Sequence, residues 1–166
     1  EEITKYNNPK IFYIDEELIK KYPSVSIGIA IIRGVNIKKS DPALESERGT
    51  VLASFEGLTN EDIGQYEEVI SYRKLYKEMG IDWHSRRPSP EALLRRIAQK
   101  KGLYTVNTCV DAYNLVVMKN RVSAGAFDLD KIEFPTILRF AKAGEAIHLL
   151  GDKRETEYKE GEIAYF

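Results

Sequence analysis

The shortages in this sequence exclude several classes of protein. Cys109 is the one cysteine among 166 residues. It can close no internal disulfide and build no cysteine-rich zinc site, which excludes a disulfide-stapled secreted fold and favours a reducing compartment. A cytoplasmic location is expected. His84 and His148 are the two histidines, and neither has a second ligand at helical or strand spacing, so no metal site is expected. Long apolar runs are missing too. The longest candidate, Val25 to Ile32, is strand-sized and far short of the roughly 18 residues of a membrane span. Residues Glu1 to Lys5 lack a basic region followed by an apolar core, so no signal peptide is expected. Gly28 and Gly34 stand alone, without the further glycines of a nucleotide-binding loop, and no cofactor is expected. A single sign of charge is lacking as well. With 25 Lys+Arg against 26 Asp+Glu the net charge is -1, which rules out a uniformly basic nucleic-acid coat.

What remains is a folded domain: 43% hydrophobic and 31% charged residues can bury a core and do not describe a disordered chain. The charges are unevenly placed. Between Ser71 and Lys101 lie nine basic residues against Glu78, Asp82 and Glu91, a net +6, and the rest of the chain carries -7. Such a segment can face a polyanion, or it can be an ordinary solvated helical surface.

The pattern along the chain predicts an α+β class, mixed β-sheets flanking a helical middle segment. Ile11 to Ile14 reads as a strand, followed by a helix Glu16 to Lys21 capped by Asp15. Val25 to Ile32 reads as a central strand buried on both faces, with Gly28 and Ala30 permitting a close neighbour. Asp41-Pro42 starts a helix to about Phe55. Further helices are expected over Glu67 to Met79, from Ser89-Pro90-Glu91 to Gly102 with Ser89 as cap, and over Thr108 to Lys119 with Asn107 as cap. In the helix opened by Ser89-Pro90-Glu91, Leu93, Leu94 and Ile97 face inward and Arg95, Arg96 and Lys100 outward. The remainder reads as strands: Arg121 to Ala126, Thr136 to Ala141, Ala146 to Leu149 and Gly161 to Phe166. Gly144-Glu145 and Gly151-Asp152 supply turns.

The stretch Asn107 to Met118 is apolar around most of its circumference, yet Asn107, Asp111 and Asn114 fall within about 60° of one another on a helix. Each buried polar group left without a partner would cost on the order of 1–3 kcal/mol. The stripe therefore either ties down backbone in an internal network or lines a pocket shared by water and a ligand.

At this stretch the sequence resembles the tRNA-editing B3/B4 domain of the phenylalanyl-tRNA synthetase beta subunit. The resemblance rests on Val106-Asn107-Thr108-Cys109-Val110-Asp111-Ala112-Tyr113-Asn114 and, at matching spacing, Gly125-Ala126-Phe127-Asp128. Ile137 to Glu145 and Leu149 to Asp152 add to it. Freestanding relatives of that domain are more similar still, through Arg87-Pro88-Ser89, Leu93-Leu94-Arg95-Arg96 and Asn107 to Asn114. The motif core runs over 72–152 of one domain spanning 1–166. The resemblance implies binding of the aminoacylated 3′ end of tRNA and hydrolysis of a wrongly attached aminoacyl ester in trans. On that reading Asn107, Asp111 and Asn114 carry catalysis. Tyr113, Ser123, Gly125 and Asp128 bind substrate, and Arg86, Arg87, Arg95, Arg96, Lys100 and Lys101 meet RNA phosphates.

The sequence also departs from the synthetase pattern. Tyr104, Tyr113 and Ser123-Ala124-Gly125 stand where the synthetase pocket has Arg, Thr and a Pro-x-His. The Gly-rich strand and the Glu that reads the amino-acid side chain there lie beyond the point equivalent to Phe166, so that wall of the pocket is expected to be missing from these residues. Two alternatives follow from the departures: a tRNA or amino-acid binding module without catalysis, and an enzyme acting on a small amino-acid-like molecule without RNA. Cys109 reads as packing on an apolar helix, and Ser123 lacks a visible base.

Overall fold

In a computed structural model of the chain, residues 9–148 and 153–166 are described. The elements in order are β1 (Phe12–Ile14), α1 (Glu16–Lys21), α2 (Pro42–Ala53), α3 (Asn60–Gln65), α4 (Glu67–Glu78), α5 (Ser89–Ala98), α6 (Thr108–Asn120), β2 (Thr136–Phe140), β3 (Ala146–His148), β4 (Glu155–Glu157) and β5 (Ile163–Tyr165). This is the expected α+β class, with helices in the middle of the chain and small mixed sheets from its two ends. Two compact units result, one from residues up to Arg33 together with Phe127 onward, the other from Gly34 to Ala126.

In the strand unit, β2 pairs in parallel with β1 and antiparallel with β5, giving the order β1-β2-β5. A separate two-stranded ribbon joins β3 and β4, with Ala146 opposite Glu157. The Asp15 side chain caps α1 by accepting from the Glu17 N–H at 2.9 Å. Leu18, Tyr22, Leu138 and Ala141 are buried here.

The helical unit owns the larger core, built from Val51, Ile63, Val69, Leu93, Leu94, Leu103, Leu115, Val117 and Met118. Helices α2, α3 and α6 start where the sequence supplies a side-chain cap. Asp41 accepts from the Ala43 and Leu44 N–H groups, with Pro42 at the first helical position. Asn107 accepts from the Val110 N–H at 2.9 Å. Helix α3, which hydrophobic patterning does not reveal, is set by a reciprocal capping box between Thr59 and Asp62. Those bonds from Thr59, its side chain first and then its backbone N–H, hold the Asp62 carboxyl below its ordinary range.

Three expectations fail. Val25 to Ile32 joins no strand among the described residues, and Ile29, Ile31 and Ile32 are 52%, 38% and 66% exposed. Gly28 has nothing within 4 Å of the position a Cβ would take, so no close neighbour requires it. Apolar composition gives a segment reason to be buried, but a strand also needs a partner edge, and this one has none among the described residues. Arg121 to Ala126 is likewise not a strand. Arg121 closes α6 in the left-handed region at φ 55, held by a bidentate pair with Glu68 at 2.9 and 3.0 Å. Ser89 does not cap α5: Pro88 holds the cap position and offers no side-chain oxygen, while the Ser89 hydroxyl turns to Ser123. Leu149 and the Gly151-Asp152 turn lie outside the described residues.

Candidate functional site

Helix α6 carries the polar stripe, and its three members have different surroundings. The Asn107 amide oxygen is used on the helix's own first turn. Asp111, 5% exposed, accepts from the Val106 N–H at 2.9 Å through Oδ1 and so ties the incoming strand-like segment to the helix. Nearby, Thr108 and Lys38 exchange two bonds: the Thr108 N–H donates to the Lys38 carbonyl and the Lys38 N–H to the Thr108 hydroxyl, each at 2.9 Å. Asn114 is different. It is 7% exposed, and among the described residues its side-chain amide makes no hydrogen bond. An amide offers two donors and two acceptor lone pairs, and a sheltered one with no protein partner is open to water or a guest.

Tyr113 does not share that environment. It packs against the hydrophobic core, and burial raises its phenol pKa, with nearby Cys109 and Tyr104 adding to the rise. Successive helical residues are separated by 100°, which is why Tyr113 and Asn114 face different neighbours. Ser123 lies in a hydroxyl cluster. Its N–H donates to the Tyr72 phenol oxygen at 2.8 Å, and the Ser89 hydroxyl donates to its Oγ at 3.2 Å. Gly125 is exposed with open space around it. Asp128 belongs to the strand unit, where its Oδ1 accepts from the Asp130 N–H and closes a turn. Two open depressions, of about 410 Å³ beside Lys21, Phe140 and Lys142 and about 420 Å³ beside Leu52, Phe55, Ile97 and Lys100, include none of the stripe residues.

The expected RNA-facing residues divide into two groups. Arg86, Lys100 and Lys101 are exposed. Arg96 donates to the Gly102 carbonyl and lies over the Tyr104 ring at 5.1 Å. Arg87 and Arg95, in contrast, turn onto Glu91, whose side chain is fully buried. Arg73 of α4 joins them with a bidentate pair, Nε to Oε2 at 3.0 Å and Nη2 to Oε1 at 2.8 Å. In the sequence, Glu91 stands out only as one of three acidic residues opposing the basic segment, and Arg73 only as one of its nine basic members. The signal was present in the spacing: Arg87, Glu91 and Arg95 are successive i, i+4 neighbours, and Pro88 to Pro90 start the helix that makes that spacing count.

The B3/4 domain family model matches residues 71–166. The chain belongs to the B3/4 domain family. Among curated proteins, it is 32% identical over 129 residues to the phenylalanine–tRNA ligase beta subunit of Carboxydothermus hydrogenoformans, covering 76% of this chain and 15% of that protein. It is 35% identical over 85 residues to the phenylalanine–tRNA ligase beta subunit of Aquifex aeolicus, covering 51% of this chain and 11% of that protein. No solved structure gives a significant match. The B3/4 match contains α5, α6 and every strand except β1, and so includes the stripe, the hydroxyl cluster and Glu91. Among the described residues no helix is long and apolar enough to cross a membrane, and no group of three His, Cys, Asp or Glu side chains gathers to hold a metal.

Proposed function

We propose that this B3/4 domain binds the aminoacylated 3′ end of a tRNA and hydrolyses a wrongly attached aminoacyl ester in trans. The observation that carries the reading is Asn114: a sheltered amide with no hydrogen-bond partner among the described residues, within the motif that relates this chain to two phenylalanine–tRNA ligase beta subunits. An aminoacyl ester is already activated, because its leaving group is a ribose hydroxyl. Catalysis then consists mainly of holding a water against the carbonyl carbon. The water oxygen bonds to that carbon and the bond to the ribose oxygen breaks; one water proton passes to the ribose oxygen, the other is released to solvent, and the amino acid departs as a carboxylate. Asn114 orients the water or the ester carbonyl. Asn107 and Asp111 hold α6 and its entry in place, leaving Asn107 Nδ2 and Asp111 Oδ2 for the substrate. Ser123 and Gly125, in the same unit, are further substrate contacts. Arg86, Arg87, Arg95, Arg96, Lys100 and Lys101 attract the RNA backbone.

The test is release of amino acid from a panel of mischarged tRNAs. Wild type is expected to release it above background, and Asn114→Ala to lose at least tenfold in rate, about 1.4 kcal/mol of transition-state stabilisation. No release by wild type on any member of the panel overturns the reading. One observation favours a second reading, a tRNA-binding module without catalysis: one oxygen of Asn107 and one of Asp111 already bond the chain's own backbone. Salt-dependent tRNA binding without deacylation would select it.

A further inference from the structure

Glu91 is completely buried, and three guanidinium groups converge on it. Arg73 grips both of its oxygens, Arg87 Nε reaches Oε1 at 3.3 Å, and Arg95 Nη1 lies 3.8 Å from the same oxygen. One arginine neutralises a buried carboxylate. Three leave two positive charges in excess of Glu91, held close together against their mutual repulsion. The side chains of Arg73, Arg87 and Arg95 keep 21%, 29% and 25% of their exposure, so all three can be reached from outside. Arg95 makes the longest contact of the three and no hydrogen bond among the described residues, which leaves its donors available.

The group is also fixed in place. The Arg73 guanidinium lies over the Trp83 indole at 4.2 Å, and the Trp83 and His84 rings stack at 3.7 Å. The His84 carbonyl in turn accepts from Arg87 Nη1 at 2.9 Å. The turn that carries both rings is closed by Asp82, which accepts from the His84 N–H at 3.0 Å. Guanidinium groups held from one side by a carboxylate, an indole and a carbonyl lose little freedom when an anion arrives on the other. Their planar forks match the oxygens of a phosphate.

We infer that Arg73, Arg87 and Arg95, assembled on buried Glu91, form a phosphate-binding site that takes a phosphodiester of an RNA backbone. The inference deepens the tRNA reading and rests on it for the source of the phosphate; the site itself needs only the geometry. Trp83 is the one tryptophan in the chain, so its fluorescence reports on this place and no other.

The test follows Trp83 fluorescence during titration of the full chain with a short single-stranded RNA and, separately, with inorganic phosphate, each over a range of salt. RNA is expected to change the Trp83 signal saturably, and phosphate to compete for the same change. Arg95→Ala is expected to weaken RNA binding about tenfold and to lower the salt slope by about one. Arg95→Lys, which keeps the charge and loses the fork, should fall between. Phosphate binding without RNA binding would keep the site and assign it to a small phosphate. Unchanged affinity and salt slope in both Arg95 variants, or no Trp83 response of wild type to either probe, would overturn the inference and leave the three arginines as a pin between α4 and α5. Deacylation measured in parallel separates the two claims. RNA binding with these properties and no ester hydrolysis sinks the hydrolytic reading alone, whereas hydrolysis with an unresponsive Arg95 sinks the phosphate site alone.

Discussion

The helical unit and the strand unit are stabilised in different ways. The helical unit, Gly34 to Ala126, encloses a core in which Ile63, Leu94 and Met118 are fully buried, and even the carboxylate of fully buried Glu91 is matched by arginines. Among the described residues the strand unit has fewer buried side chains. It relies on ladder hydrogen bonds and on a strong pair, Arg139 with Glu145 at 2.6 and 2.8 Å, with the Arg139 guanidinium 3.5 Å from the Phe166 ring centre. Meanwhile Ile29, Ile31 and Ile32 stand largely in the open. The helical unit therefore resists change through packing around a closed interior, and the strand unit through a few polar links at its surface.

Substitutions can break that contrast. The largest effect is expected from Glu91→Ala, which strips three arginines of their shared partner inside the helical unit. A loss of about 3–5 kcal/mol is expected in denaturant unfolding followed by Trp83 fluorescence. A loss under about 1 kcal/mol would mean the arginines are satisfied elsewhere. Next comes Asn107→Ala, which removes the cap of α6 and should cost about 0.5–2 kcal/mol by the same measurement.

In the strand unit the sharper probe is pH. Arg139, and after it the Lys142 N–H, lower the Glu145 carboxyl from 4.5 to about 2. A carboxyl lowered on folding stabilises the native state above its unfolded value, and the gain is lost as pH falls from 4.5 through about 2. Thermal melting of wild type should therefore decline across that window, and Glu145→Gln should decline less while melting lower near neutral pH. Ile32→Ser is expected to do least, within about 0.5 kcal/mol, because an exposed side chain gives up little on becoming polar. A larger loss would show that Ile32 is covered in solution.

The same contrast explains what could be read from the sequence. Helices announce themselves locally: Asp15, Asp41 and Asn107 are caps whose partners lie two or three residues away, and the predicted starts of α1, α2 and α6 agree with the observed ones. Helix α3 was missed although Thr59 and Asp62 spell a capping box, because its six residues are too few to show a period. Strand β2 was legible, but Val25 to Ile32 was not, since pairing depends on an edge supplied by distant sequence. In the site, the three-residue stripe was legible from the helical repeat. Which member would lack a partner among the described residues was not, because the Val106 N–H that occupies Asp111 is placed by the path of the chain into α6. Arg73 meets Glu91 across 18 residues and two helices, a contact that no local spacing encodes.

The central claim is tested most directly by single-turnover hydrolysis of mischarged aminoacyl-tRNAs, comparing wild type with Asn114→Ala and checking that both unfold at the same denaturant concentration. The account predicts that wild type releases the amino acid and that the variant, equally folded, is at least tenfold slower. Equal rates in the two proteins would contradict it.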